Sequence, residues 1–224
     1  MSSKCKCSPL ASIGQKQIMA VTGLLLCGFL VTHMLGNFTM FLSSDAFNKY
    51  SHALTSNPLI YLAEVALAML FIGHIVMAFR VVWANKAARP IAYHSYNKSG
   101  RGGTFASSTM AYTGLIALLF LVLHILGLKF GTQYTTVIDG VEMRDIYKTT
   151  IEYFHDPLHV GGYLIAMISM GIHTSHGLWS AFQSLGLSHP KYMPKIKLLS
   201  TLFGYYVMIG FSSFPIFCYY QGGH

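Results

Sequence analysis

Five stretches of this 224-residue chain run for 21 to 25 residues with almost no charge: 18–42, 59–79, 105–128, 158–182 and 198–220. A helix needs about 20 apolar residues to cross roughly 30 Å of hydrocarbon. Lipid offers no partner to a free backbone N–H or C=O, so each run is read as a helix. The expected fold is all-α: an integral membrane bundle of five transmembrane helices, forming a single membrane domain over residues 1–224. No repeat, low-complexity tract or soluble domain interrupts that pattern. With 53% hydrophobic and 10% charged residues, the chain is too apolar for one water-soluble core.

The basic, polar stretch Met1–Gln17 leads into a 25-residue apolar run rather than a short one with a cleavage site, so the first span is read as retained. Cys5, Cys7, Cys27 and Cys218 form no C-x-x-C pair and no C-x-x-C-H, which supports neither structural zinc nor covalent c-type haem.

Eleven of the fifteen basic residues lie in the N-terminal arm (Lys4, Lys6, Lys16), the second connection (Arg80, Lys86, Arg89, Lys98, Arg101) and the fourth (Lys191, Lys195, Lys197). The seven acidic residues, Asp45, Glu64, Asp139, Glu142, Asp145, Glu152 and Asp156, fall in or beside the first and third connections. The positive-inside rule then puts the N-terminus in the cytoplasm and the C-terminus outside. The net charge of +8 is a topology signal, not a sign of nucleic-acid binding.

Four spans carry a histidine well inside the apolar run: His33, His74, His124 and His173. Counted from the start of each span, His33, His74 and His173 come 15 residues in and His124 comes 19 in. Because successive spans run in opposite directions, His33 and His124 lie near the outer face, and His74 and His173 near the inner face. At about 1.5 Å per residue the two levels differ by roughly 15 Å. An intramembrane imidazole is costly unless its ring nitrogens are engaged, and it marks a candidate functional site; the alternative for each one singly is a hydrogen-bonded core histidine, which four at paired depths disfavour. Paired imidazoles from facing helices suit bis-histidine haem iron. Spacing alone also admits a transported metal or a proton relay.

The stretch Thr32-His33-Met34-Leu35-Gly36-Asn37, Gly73-His74, Leu123-His124 and above all His173-Thr174-Ser175-His176-Gly177-Leu178-Trp179-Ser180 resemble the di-haem cytochrome b membrane anchor of succinate:quinone oxidoreductases and quinol:fumarate reductases. The resemblance covers nearly the whole chain. It implies two b haems, an outer (distal) one held by His33 and His124 and an inner (proximal) one held by His74 and His173, with His176 a neighbour rather than a ligand. It also implies a flavoprotein subunit and an iron-sulfur subunit on the cytoplasmic face, a membrane quinone (menaquinone is common among similar chains), and location in the cytoplasmic membrane of a prokaryote. In this scheme electrons pass between the iron-sulfur subunit, the two haems and the quinone, while dicarboxylate chemistry belongs to the flavoprotein; further oligomerisation of the complex is left open. Some fumarate-reducing relatives carry a glutamate beside the fourth-span ligand as a proton path. Gly171, Ile172 and Thr174 stand here instead, so that path is not carried over.

Glu64, the one carboxylate inside a span, sits about 8 Å from the outer end of span two and is a candidate for proton exchange with quinone; the alternative is a carboxylate reaching for the interface. Asn37, one turn beyond His33, and His159, close to four turns before His173, are candidate outer contacts to quinone or haem propionate. Asn37 could instead cap span one. On the inner side Arg80, Tyr93, His94, Lys98, Arg101 and His176 are candidate propionate or docking contacts, against the simpler reading that they set topology. Trp83, Trp179, Tyr219 and Tyr220 suit interface anchors.

Two other function classes are weighed. One is a haem subunit of another membrane oxidoreductase, such as nitrate reductase or hydrogenase, which the fourth-span motif disfavours. The other is a histidine-lined metal or proton transporter, disfavoured because the spans hold almost no carboxylate chain.

Overall fold

The computed structural model describes residues 12–87 and 105–222. Its elements are α1 (Ser12–Phe38), a 3-10 turn (Thr39–Phe41), α2 (Ser44–Thr55), α3 (Leu59–Ala87), α4 (Phe105–His124), a π turn (Ile125–Lys129), strands β1 (Thr135–Ile138) and β2 (Val141–Arg144), α5 (Ile146–Phe154), α6 (Pro157–Ser184) and α7 (Met193–Gly222). Four helical stretches are long and apolar enough to cross a membrane: Ile13–Phe41, Leu59–Ala84, Thr109–Lys129 and Met193–Gly222. The remaining long helix, α6, has 28 residues but carries His159, His173, His176, Ser169, Thr174 and Ser175, which dilute its hydropathy.

Helix α6 is the centre of the bundle, packed against α1, α4 and α7, while α3 packs on α1. Small residues set the α6–α7 crossing. A methyl group on Gly171 would lie 2.8 Å from the Gly204 carbonyl oxygen and from Met208 Cβ, and one on Gly204 would lie 2.6 Å from the Gly171 carbonyl oxygen. Backbone contact of this kind is how helices associate where no hydrophobic force separates helix from solvent.

The α2, hairpin and α5 segments form a cap on one end of the bundle, a feature that the reading of the first and third connections by charge missed. Each cap helix starts on a side-chain acceptor. Ser43 Oγ accepts from Ala46 N at 3.0 Å, and Asp145 Oδ1 accepts from Lys148 N at 2.9 Å. Asn48, 2% exposed, ties them together: its Nδ2 donates to Asp145 Oδ1 at 2.9 Å and its Oδ1 accepts from Tyr147 N at 3.0 Å. The all-α expectation fails locally at 135–144. There Asp139 and Gly140 both have positive φ and turn β1 back on β2 with Ile138 opposite Val141, the two-residue hairpin that Asp-Gly favours.

The four basic residues outside the eleven counted above all lie at this capped end, and each is engaged. Lys49 pairs with Asp139 at 2.5 Å, which holds its ammonium pKa above the ordinary value. Lys129 pairs with Glu64 at 2.6 Å. Arg144 donates to the Leu128 carbonyl at 2.7 Å, its pKa pulled down by burial, and Lys148 lies 4.6 Å over the Tyr134 ring.

Candidate functional site

Two histidine pairs stand at different levels of the bundle. His33 of α1 meets His124 of α4 with ring centres 6.0 Å apart and planes at 89°. His74 of α3 meets His173 of α6 at 6.5 Å and 75°. Two imidazoles sharing a metal at about 2 Å from each nitrogen have ring centres roughly 6 Å apart, so both pairs have the separation that a shared ion would need.

Hydroxyl groups hold three of the four rings. Thr22 Oγ1 lies 3.2 Å from His74 Nδ1, Thr113 Oγ1 lies 3.2 Å from His173 Nδ1, and Tyr163 Oη lies 3.2 Å from His124 Nδ1. Each threonine already donates its one proton within its own helix, Thr22 to the carbonyls of Ile18 and Met19 at 2.8 and 3.1 Å and Thr113 to those of Thr109 and Met110 at 3.1 and 3.2 Å. The histidine nitrogen is therefore the donor, Nδ1 carries the proton, and Nε2 is left as a bare acceptor. That is the tautomer a metal-ligating imidazole needs, with its second nitrogen fixed by a partner. His33 differs. Its Nε2 lies 3.5 Å from Asn37 Nδ2, and its ring stacks on Phe29 at 5.2 Å and 16°.

Beyond the pairs, the expected site residues scatter. Glu64 is half exposed and bound to Lys129 rather than free. His159 Nδ1 donates to the Tyr153 carbonyl at 2.8 Å and its ring lies flat on Tyr153 at 4.1 Å. That places it beside the cap, with Tyr153 lying 5.8 Å from Tyr163. His176 stands one turn from His173 with a buried Nδ1 that has no hydrogen-bond partner among the described residues, and its ring meets Trp179 edge-on at 4.8 Å. Arg80 is exposed at the uncapped end of α3. Tyr93, His94, Lys98 and Arg101 lie outside the described residues. Thr22, Thr113, Tyr163 and Lys129 carry no signal by residue type alone, because their partners His74, His173, His124 and Glu64 lie on other helices.

Among the described residues no three His, Cys, Asp or Glu side chains converge, which sets these pairs apart from a protein-ligated tetrahedral metal centre. Over 175 residues, 78% of this chain and 80% of the relative, the sequence is 25% identical to the succinate dehydrogenase cytochrome b558 subunit of Bacillus subtilis (strain 168). The chain is thus similar to a succinate dehydrogenase cytochrome b558 subunit. No family model matches it, and no solved structure does. That relative is by name a cytochrome b, and the two pairs can be tested against axial ligation of haem iron. The His74–His173 pair suits it on both sides; at the other level His124 suits it when its Nδ1 is the donor to Tyr163, whereas His33 would have to turn Nε2 away from Asn37.

Proposed function

We propose that the chain is the di-haem cytochrome b subunit of a succinate dehydrogenase or fumarate reductase complex. In this role it anchors the complex in the membrane and carries electrons between its iron-sulfur subunit and a membrane quinone. The observation that carries this reading is the pair of histidine couples, with His74 and His173 fixed as Nδ1–H donors to Thr22 and Thr113 and their Nε2 atoms left for a metal. All five long helices cross the bilayer as one membrane domain, with α6 as the polar, central one. The capped end faces outward and the lysine-rich end meets the cytoplasm, in the cytoplasmic membrane of a prokaryote.

When bound, haem b supplies a one-electron Fe(III)/Fe(II) couple at each level. His74 and His173 hold the inner position and His33 and His124 the outer. The buried, unpartnered Nδ1 of His176 would donate to an anionic propionate at the inner level, with Arg80 at the same end; His94, outside the described residues, is a further candidate. Exposed Lys191, Lys195 and Lys197 offer charge to the iron-sulfur partner, behind which sits the flavoprotein that handles the dicarboxylate. At the outer level Glu64 takes up and releases the protons that accompany quinone (menaquinone) chemistry, with Lys129 as its resting partner. Asn37 and His159 lie at the same end and supply hydrogen bonds to quinone or propionate.

Purification of the native complex tests this reading. The expected result is co-purification of a flavin-containing subunit and an iron-sulfur subunit, with succinate-reducible b-type haem in the membrane fraction. Association with a hydrogen- or nitrate-converting subunit instead would overturn it.

A further inference from the structure

We infer that Thr22 and Thr113 are positioning residues that fix the tautomer and tune the basicity of the two inner histidines, each acting from the neighbouring helix as half of a repeated Thr-Gly cradle. The inference rests on the two-haem reading above.

The cradle occurs twice with the same parts. On α1, Thr22 bonds His74 Nδ1 at 3.2 Å, and a methyl on the next residue, Gly23, would lie 3.2 Å from His74 Cε1. On α4, Thr113 bonds His173 Nδ1 at 3.2 Å, and a methyl on Gly114 would lie 3.4 Å from His173 Cε1. The threonine holds one edge of the ring, and the missing side chain lets that edge approach the helix.

The two helices also agree in register beyond the cradle. From Thr22 to Phe29, His33 and Gly36 the steps are 7, 11 and 14 residues, and from Thr113 to Phe120, His124 and Gly127 they are the same. Both phenylalanines pack on the histidine four residues later, at 5.2 Å and 5.4 Å. Both distal glycines receive a tyrosine ring from the cap, Tyr50 on Gly36 and Tyr153 on Gly127. Eleven residues are close to three helical turns, so Thr and His share a face about 16 Å apart. Each of these helices thus gives one histidine to the outer pair and one cradle to the inner pair. Such a coincidence twice over marks the cradles as part of the site, not as chance packing.

The chemistry follows from the donor accounting. Because each hydroxyl proton is committed to its own helix, the oxygen can only accept from Nδ1–H. Accepting that proton makes the imidazole a stronger donor through Nε2 and favours the oxidised metal. Removing the acceptor should therefore shift the inner couple toward the reduced form, and an apolar isostere does so without changing shape.

The test is a redox titration of the holoprotein followed by visible spectroscopy, comparing wild type with Thr113→Val, Thr22→Val and the matching serine variants. The expected result is that each valine variant keeps both haems and shifts one component about tenfold toward reduction, 59 mV for one electron, while serine restores the wild-type value. Loss of one haem in the valine variant with retention in the serine variant supports the same role. Unchanged potentials in valine variants with full haem content would overturn it, as would haem loss from valine and serine variants alike. Wild-type protein without two b haems would instead overturn the underlying two-haem reading.

Discussion

Glu64 on α3 and Lys129 in the π turn after α4 form an ion pair with Oε1 and Nζ 2.6 Å apart. Both side chains are close to half exposed on the surface of the chain, at the span end where the carboxylate can part from its lysine. If it exchanges protons with quinone, Glu64→Gln lowers quinone turnover by about 100-fold while both haem spectra survive. Steady-state quinone reduction measures this, and turnover equal to wild type would exclude the role.

Tyr163 is buried, and its hydroxyl is the partner of His124 Nδ1. Tyr163→Phe leaves that nitrogen without its hydrogen-bond partner, at a cost of about 1–3 kcal/mol. Thermal unfolding in detergent should show a lowered midpoint, and the potential of the outer haem should shift while the inner one stays put.

How much of this was legible depended on which signal each residue carried. The long helices and the two histidine levels follow from apolar length and position alone, because hydrocarbon leaves no other solution for the backbone. The cap does not, since α2 and α5 are short and gain their order from tertiary ties such as Asn48 to Asp145. The hairpin is written in Asp139-Gly140 between Ile138 and Val141, a short local signal inside a connection whose charges speak only to topology. Thr22 and Thr113 look like ordinary helix threonines, and only the positions of His74 and His173 across the helix pairs reveal what they serve. The shared steps of 7, 11 and 14 residues are a repeat too sparse to notice until contacts give the positions meaning.

Asn48 joins the two cap helices through both ends of its amide. Asn48→Ala strands the Tyr147 N–H and leaves Asp145 Oδ1 with Lys148 N as its one remaining donor, and should cost about 1–3 kcal/mol. Hydrogen exchange should then speed up at the first turn of α5 while the long helices remain protected; uniform protection would contradict the assignment.

Gly171 and Gly204 face each other across α6 and α7 with no room for a methyl group. Gly171→Ala forces the helices apart and should destabilise the bundle by about 1–3 kcal/mol. Because α6 also carries His173, the same variant should loosen the inner haem before the outer one, as read by haem release on mild heating.

The most direct test of the account is the molar ratio of haem b to polypeptide, measured as the pyridine haemochrome, in wild type and in His173→Ala. The account predicts about two haems per chain in wild type and about one in the variant, because each iron takes one histidine from each of two helices. A colourless, fully folded wild-type protein, or a variant that still holds both haems, would contradict it.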